Sequence, residues 1–275
     1  MLTNLSTALE FASVTDPGMV RSHNEDSISA DSQFGLVVLA DGMGGYNAGE
    51  VASGIAVAML SAEMKQALEE REPHVKNGSG EPLAVALIRE NSAKANAAIF
   101  QTSKSQPQYA GMGTTLVVAL FYDNKMTVGH VGDSRLYRLR DEKLEQVTRD
   151  HSLLQEQIDS GMISKEQARF SQNKNLVTRA VGIDPEVETE IHTYDVAPGD
   201  IYLLCSDGLS DMVVDDDIQS TLATLQSNLP LAAKQLVQQA NDNGGRDNVS
   251  VILARVQGDF AAPTGWFARF KAWFR

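Results

Sequence analysis

The sequence of 275 residues is poor in several features that would define its class at once: it has one cysteine, no basic tract in its body and no long apolar run. Cys205 has no partner for an internal disulfide. The longest apolar runs fall well short of a membrane span. The first residues lack the basic segment and apolar core of a secretory signal. Together these absences predict a cytoplasmic protein.

Positive charge is also scarce. The formal net charge is -13 and the isoelectric point is near 4.8, which argues against a nucleic-acid partner because its phosphates would be repelled. With 43% hydrophobic residues, the chain is long enough to bury one large core, and no break or internal repeat divides it. We expect a single domain.

The central stretch of the sequence is residues 34–50, FGLVVLADGMGGYNAGE. An apolar run of strand formers ends in Asp41-Gly42, which by itself is typical of a hairpin turn. A helical pattern follows instead of a second strand, and the Asn47 and Glu50 pair predicts a capping box at its start. We therefore expect a buried strand that delivers the Asp41 carboxylate, followed by a helix over residues 47–70.

The same pattern returns at residues 200–208, DIYLLCSDG, where an apolar run ends in Asp207-Gly208. Two such strands side by side in one sheet would bring their carboxylates together at one edge. Two further strand ends carry Asp133 and Asp247. Clustered like charges are costly unless a cation neutralises them, and oxygen ligands suit Mg²⁺ or Mn²⁺. The sequence predicts a divalent metal site.

Three neighbouring interpretations are disfavoured by spacing. The glycines after Asp41 do not fit a dinucleotide fingerprint, because Asn47 stands where the third glycine belongs, and no P-loop lysine is present. A cysteine-dependent phosphatase would need an arginine six residues after Cys205, and that residue is Asp211. The five histidines are scattered without zinc-type spacing, so we expect most of them to be structural or exposed.

Six short motifs occur in order along the chain. They are Arg21 with Asn24-Glu25-Asp26, residues 40–45 (ADGMGG), Gly113-Thr114-Thr115, Gly132-Asp133-Ser134-Arg135, Ser206-Asp207-Gly208, and Gly245-Arg246-Asp247-Asn248. This ordered set resembles the type 2C, metal-dependent (PPM) serine/threonine protein phosphatases, and the length and the DGMGG spelling resemble their compact bacterial branch. Each motif is weak alone, but the resemblance spans residues 9–257.

The resemblance implies an α+β fold, a four-layer α-β-β-α sandwich of two antiparallel sheets flanked by helix pairs, with the metal centre at one edge. It also implies a phosphatase domain over residues 1–258, leaving residues 259–275 as a basic, aromatic tail. The implied activity is hydrolysis of phosphoserine and phosphothreonine in proteins by a hydroxide bridging two Mn²⁺ or Mg²⁺ ions. The alternatives are a non-catalytic phosphoprotein-binding module on the same fold and a metal-dependent phosphodiesterase.

Site roles follow from the same resemblance. Asp41 would bridge the two ions, Gly42 would ligate one through its carbonyl, Asp207 and Asp247 would hold the other, and Asp133 would hold a third, weaker ion together with Asp207. Arg21 would bind the substrate phosphate. Glu25, Asp26 and Asn248 would orient ligands or metal-bound waters. The implied partners are phosphoproteins, including a serine/threonine kinase or its substrates, and the chain is expected to be a monomer.

One position departs from the family pattern. Animal members place a histidine directly after the Asp-Gly pair as the proposed general acid, and here that residue is Met43. Metal-bound water or His23 would have to protonate the leaving group. Residues 150–175 correspond to the family's variable flap, which would govern which phosphoprotein docks.

The last ten residues, WFARFKAWFR, carry three cations and no side-chain anion. As a helix they would place aromatic residues on one face. Such a segment either packs on the domain's own surface or docks to an anionic membrane surface or an acidic partner, although so short a helix is marginal alone. The sequence leaves both possibilities open.

Overall fold

Two antiparallel β-sheets pack face to face in the computed structural model of the chain, which describes residues 5–45, 47–164, 167 and 176–262. The first sheet contains, in spatial order, β1 (Leu9–Asp16), β11 (Val249–Val256), β10 (Ile201–Cys205), β7 (Arg135–Arg140) and β8 (Lys143–Gln146). The second contains β2 (Asp26–Asp31), β3 (Leu36–Met43), β5 (Leu116–Tyr122), β6 (Lys125–Val131) and β9 (Glu190–Asp195), with the short β4 (Gly113–Thr114) beside β3.

Helices cover the outer face of each sheet. Within the described residues the helices are α1 (Ala48–Glu70), α2 (Leu83–Ser105), α3 (Leu153–Asp159), α4 (Asp207–Ser210), α5 (Asp215–Leu225) and α6 (Leu229–Asp242), and a 3₁₀ turn spans Pro107–Tyr109. The helix pair α1 and α2 lies on the second sheet, and the pair α5 and α6 lies on the first. The predicted four-layer α-β-β-α sandwich is confirmed.

Strand β3 shows how the layers form. Its residues are buried on both faces, so it reads as a continuous apolar run. Val37 and Leu39 belong to the core between the sheets, whereas Leu36 and Val38 belong to the core under α1 and α2, as the period of two requires. A third core lies between the first sheet and its helices.

Two expectations about this region are wrong. β3 and β10 do not lie side by side in one sheet but in opposite sheets. The sequence could not distinguish these arrangements, because a strand that is buried on both faces has the same apolar pattern in either sheet. Asn47 precedes α1 in the left-handed conformation (φ 62°) and its side chain makes no capping hydrogen bond. The carbonyl of Asn47 accepts the first helical hydrogen bond, from the backbone N–H of Val51.

The turn at Gly132, Asp133 and Ser134 connects the two sheets. It joins β6 of the second sheet to β7 of the first, so it carries the chain between sheets and is not a hairpin. In the described ranges, no helix has both the length and the apolar character needed to cross a membrane.

Candidate metal centre

Asp26 and Asp41 lie opposite each other at the end of the β2–β3 pair. Ser206, which directly follows β10 of the other sheet, donates a hydrogen bond from Oγ to Oδ2 of Asp26 at 2.8 Å. The next residue is Asp207, the first of α4. The Ser206 hydrogen bond therefore joins the two sheets at the edge where both Asp-Gly pairs emerge.

Asp247 reaches the same edge from the loop before β11. Its Oδ2 accepts a 2.7 Å hydrogen bond from Nη2 of Arg21, whose side chain is 52% exposed. The neighbouring Asn248 accepts from the backbone N–H of Glu25 at 2.8 Å and donates to the carbonyls of Pro17 and His23 at 3.0 and 2.8 Å. Asn248 thus fastens the loop that carries Arg21 and Glu25 against the Asp247 segment.

Gly42 is packed where no side chain fits. A Cβ atom there would lie 2.1 Å from the Gly49 carbonyl oxygen and 2.6 Å from that of Glu25. The Gly42 N–H donates to the Glu25 carbonyl at 3.1 Å. Glycine at this position lets the start of α1 and the Arg21–Asp26 loop close directly onto the strand end.

The Asp133 turn is tied to Asp41 through two hydroxyls. The Asp41 N–H donates to Oγ1 of Thr115 at 3.0 Å, and that hydroxyl lies 2.7 Å from Oγ of Ser134. Asp133 itself is buried, with 8% of its surface exposed. All four strand-end aspartates that the sequence singled out therefore come together at one edge of the sandwich.

Burial and mutual repulsion shift these acids strongly. The pKa of Asp41 lies well above its ordinary value, mainly because of burial and then because of the nearby Asp26 and Asp207 charges. The pKa of Asp26 is raised to about 6, chiefly by burial. Oδ1 of Asp26 is buried without a hydrogen-bond partner. This cluster of carboxylates therefore lacks enough positive charge and hydrogen-bond donors to satisfy it.

The other half of the cluster behaves alike. The pKa of Asp207 is raised well above its usual range by burial and then by the charges of Asp133 and Asp211. Burial, followed by the charge of Asp150, raises the pKa of Asp133 to about 6. An all-oxygen set of this kind suits a hard divalent cation, which would relieve the repulsion and complete the unsatisfied acceptors. The residues present fit Mg²⁺ or Mn²⁺.

The sequence prediction gives no site role to two members of this region. Asp211 follows Asp207 by four residues at the end of α4, a spacing that puts both on one side of a helical turn, and this i, i+4 pair in DGLSD was the available signal. Arg135 is paired with Asp150 through both carboxylate oxygens, at 2.7 to 3.1 Å. That pair fixes the segment after the Asp133 turn against residues 148–150.

A second cluster of donors lies beside the Asp133 turn. One nitrogen each of His130 and His151 and one oxygen of Glu190 lie within 4.8 Å of one another, and the two rings stack with centroids 4.7 Å apart. Sequence spacing could not reveal this group, because β6, β9 and the loop before α3 supply one residue each. Burial lowers the pKa of both imidazoles. These three donors could hold a metal, but His151 already has partners at both nitrogens.

Those partners brace the turn. Nδ1 of His151 accepts from the Gly132 N–H at 3.2 Å, and Nε2 lies 3.2 Å from Oε2 of Glu190 and 3.4 Å from Nη1 of Arg179. The His151 backbone N–H donates to the Gly132 carbonyl at 2.9 Å. His151 therefore holds Gly132 through both ring and backbone, next to Asp133.

The remaining predicted residues lie around the mouth of the cluster. The His23 side chain is exposed, and Met43 ends β3 beside Gly113. The region corresponding to the flap is described for residues 150–164 and 167 only. Leu153 and Thr178 donate backbone hydrogen bonds that close its base, to Leu176 and His151 respectively.

Comparison with known proteins gives the class of this fold and site. The chain matches the protein phosphatase 2C family over residues 20–244. It belongs to that family.

Its relatives are bacterial. The chain is 39% identical over 257 residues to the serine/threonine protein phosphatase PstP of Mycobacterium tuberculosis, covering 93% of this chain and 46% of PstP. The chain thus spans about half the length of that relative. It is 37% identical to the serine/threonine phosphatase stp of Listeria monocytogenes, with 87% of this chain and 92% of stp covered.

Solved structures agree. The crystal structure of M. tuberculosis PstP superposes with a TM-score of 0.80 at 38% identity, covering 91% of this chain and 100% of that one. The catalytic domain of PstP in complex with two manganese ions gives a TM-score of 0.79 at 37% identity, over 91% and 99% of the two chains.

Proposed function

We propose that this chain is a metal-dependent serine/threonine protein phosphatase that hydrolyses phosphate monoesters of proteins. The observation that carries the proposal is the convergence of Asp41, Asp207 and Asp247, from three remote segments, on one edge. Burial there, and then the neighbouring carboxylates including Asp207 and Asp247, raises the pKa of Asp41. A cluster that is costly without a cation is retained in a fold whose relatives are named phosphatases.

The residues proposed to hold two Mn²⁺ or Mg²⁺ ions are Asp41, the Gly42 carbonyl, Asp207 and Asp247. Asp133, with Asp207, is proposed for a third, weaker ion. Such ions, when bound, polarise phosphoryl oxygens and lower the pKa of water. Asp26 and Glu25 act beside these ligands: Ser206 fixes the Asp26 carboxylate, and Asn248 fixes the Glu25 backbone.

Arg21 is proposed to bind the substrate phosphate. Its guanidinium is half exposed at the rim and is already oriented towards the cluster by Asp247. The planar fork of an arginine can donate to two phosphate oxygens at once. Phosphate would then lie between the Arg21 side chain and the carboxylate edge, with its ester oxygen towards solvent and the protein substrate.

The remaining role is that of the group that donates a proton to the leaving alkoxide. Met43 has no titratable group. The His23 side chain is exposed at the mouth of the cluster, where it can approach a bound substrate. His23 remains the side-chain candidate. A pH–rate profile that is unchanged in His23→Ala would remove it.

The proposed partners are phosphoserine and phosphothreonine proteins, including a serine/threonine kinase or its substrates, met by a monomer in the cytoplasm. Residues 1–258 are proposed as the phosphatase domain and residues 259–275 as its basic, aromatic tail. The first residues of the tail pack on the domain, because Phe260 is buried in the core between the sheets and the Ala262 N–H donates to Oδ1 of Asp123. The tail beyond Ala262 lies outside the described residues.

One experiment separates this proposal from its alternatives. The purified chain is assayed with Mn²⁺ for phosphate release from a phosphothreonine peptide and for cleavage of an aryl phosphodiester, with EDTA and Asp247→Asn as controls. We expect Mn²⁺-dependent monoester hydrolysis that both controls remove. Peptide binding without release would indicate a phosphoprotein-binding module, and preferential diester cleavage would indicate a phosphodiesterase.

A further inference from the structure

An apolar pocket lies at the end of the sandwich opposite the carboxylate cluster. It is lined by Leu5, Phe34, Leu68, Phe121, Phe260 and Ala262. Phe34 precedes β3, whose other end carries Asp41, and Leu68 lies in the last turn of α1, whose first turn lies against Gly42. The 23 residues of α1 therefore separate the pocket from the site by roughly 35 Å.

The chain itself leads to this pocket. The Ala262 N–H donates to Oδ1 of Asp123 at 2.7 Å, and the Phe260 N–H donates to Oδ1 of Asn124 at 2.8 Å. Phe260 is 7% exposed and packs in the core between the sheets. These contacts fix the direction in which the chain leaves the domain, and Ala262 is itself part of the pocket wall.

The residues that follow complement an apolar pocket with an acidic rim. Residues 263–275 contain five aromatic side chains and three cations, with no acidic side chain. Trp266 comes four residues after Ala262, so an extended link reaches at most about 14 Å, enough to place its indole in the pocket. A tethered side chain of this kind has an effective concentration in the millimolar range, so even a weak contact is occupied.

Charge favours the same occupant. Glu72 and Asp123 lie on the pocket wall. Glu69 and Glu70, at the exposed end of α1, add two more acids, and the last turn of that helix has no basic residue. The negative end of the helix dipole points the same way. The rim is thus suited to Arg269, Lys271 and Arg275 of the following segment.

We propose that this pocket is the docking site of the chain's own residues 263–275, with the Trp266 indole inserted among the apolar side chains and the basic residues over the acidic rim. The tail is then an intramolecular brace that joins the C-terminus to the α1–α2 loop. Because the pocket and the carboxylate cluster lie at opposite ends of α1, docking leaves the phosphatase site open.

Tryptophan fluorescence tests this directly, because Trp266 and Trp273 are the two tryptophans of the sequence. Full-length chains carrying Trp273→Phe report on Trp266, and those carrying Trp266→Phe report on Trp273. Acrylamide quenching of each is compared with the same chain unfolded in urea. We expect the quenching constant of Trp266 to be at least twofold lower in the folded chain, with emission at shorter wavelength, and Trp273 to be less protected.

A rim variant makes the site specific. Glu72→Lys, at a half-exposed side chain, should return Trp266 quenching towards the unfolded value, whereas Glu90→Lys, the same charge change at an exposed position of α2, should not. Circular dichroism confirms that both variants are folded. Phe260→Ala is a second test, because it removes an apolar side chain from the pocket wall and should likewise raise the quenching of Trp266.

Four results would overturn the proposal. Trp266 in the folded chain could be quenched as in urea, or its protection could survive Glu72→Lys and Phe260→Ala alike. Protection that appears only with vesicles of equal parts phosphatidylglycerol and phosphatidylcholine would assign the tail to a bilayer. Protection that grows with protein concentration would assign it to a second copy.

Discussion

Arg21 and Asp247 are 226 residues apart in sequence, and their side chains meet at 2.7 Å at the mouth of the carboxylate cluster. This ion pair places the proposed phosphate-binding group directly on a proposed metal ligand. Because the Arg21 side chain is 52% exposed, it is accessible to an incoming phosphate.

Arg21→Ala should lower kcat/KM for a phosphothreonine peptide by about 10- to 100-fold, mostly through KM, since charge-assisted hydrogen bonds contribute about 1.5–3 kcal/mol. The kcat/KM of Arg21→Lys should lie between those of the wild type and Arg21→Ala, because lysine keeps the positive charge but lacks the planar, two-pronged guanidinium. Steady-state kinetics measure this, with Arg71→Ala, at the far end of α1, as control. An unchanged kcat/KM in Arg21→Ala would reject the phosphate-binding role.

Asp41→Asn and Asp247→Asn should each reduce turnover by at least about 100-fold, because each removes a charged ligand from an electrostatic site. Calorimetric titration should show weakened Mn²⁺ binding in both. Asp216→Asn, the same chemical change at an exposed position of α5, is the control. Near-normal activity in either cluster variant would remove the metal assignment.

The acids of the cluster should destabilise the metal-free chain as pH rises. The native Asp133 carboxyl keeps its proton up to about pH 6, whereas an ordinary one titrates near 3.8, so unfolding releases a proton between these values. Stability contributed by this group is therefore present below about pH 4 and lost as pH rises through 6.

Asp133→Asn should accordingly raise the free energy of unfolding in EDTA by about 1–3 kcal/mol at pH 7.5, and the gain should shrink towards pH 4. Urea denaturation at a series of pH values measures the difference between variant and wild type, which cancels the other titrating groups. A gain that is the same at pH 4 and pH 7.5 would show that charge at Asp133 is not its cause.

Gly42→Ala should destabilise the chain by about 3 kcal/mol or more, because its methyl group would lie 2.1 Å from the Gly49 carbonyl oxygen and backbone must move. Gly54→Ala is the matched control: it lies within α1 with open space around the new methyl group and should stabilise by about 0.5–1 kcal/mol. Chemical denaturation of the two variants measures both signs. Equal stabilities would contradict the close approach.

His151→Ala should cost about 1–3 kcal/mol of stability, since it leaves the buried Gly132 N–H without its ring acceptor. His192→Ala should change stability by less than about 0.5 kcal/mol, because His192 is an exposed partner of the same Glu190. Thermal unfolding in EDTA compares them. Equal losses of stability in the two variants would show that the His151 contacts to the Asp133 turn do not stabilise the fold.

Prediction from sequence was strongest where a local pattern has one structural solution. The helical pattern after Asp41-Gly42 predicts a helix over residues 47–70, and α1 spans Ala48–Glu70. The acidic strand ends were predicted to form one cluster because the same pattern, an apolar run ending in Asp-Gly, occurs at Asp41 and at Asp207. Weakly patterned elements were missed: β8 is four residues of alternating exposure, and α4 is a single turn.

The amino-acid sequence by itself determined which strands are buried, which of them end in an aspartate, and that these acids need a cation. The tertiary structure alone decided that β3 and β10 belong to opposite sheets, that the turn at Asp133 carries the chain between the sheets, and that His130, His151 and Glu190 meet. The physical reason is that side-chain periodicity records how deeply a strand is buried. Its neighbour is chosen by long-range packing among three cores, which no local pattern encodes.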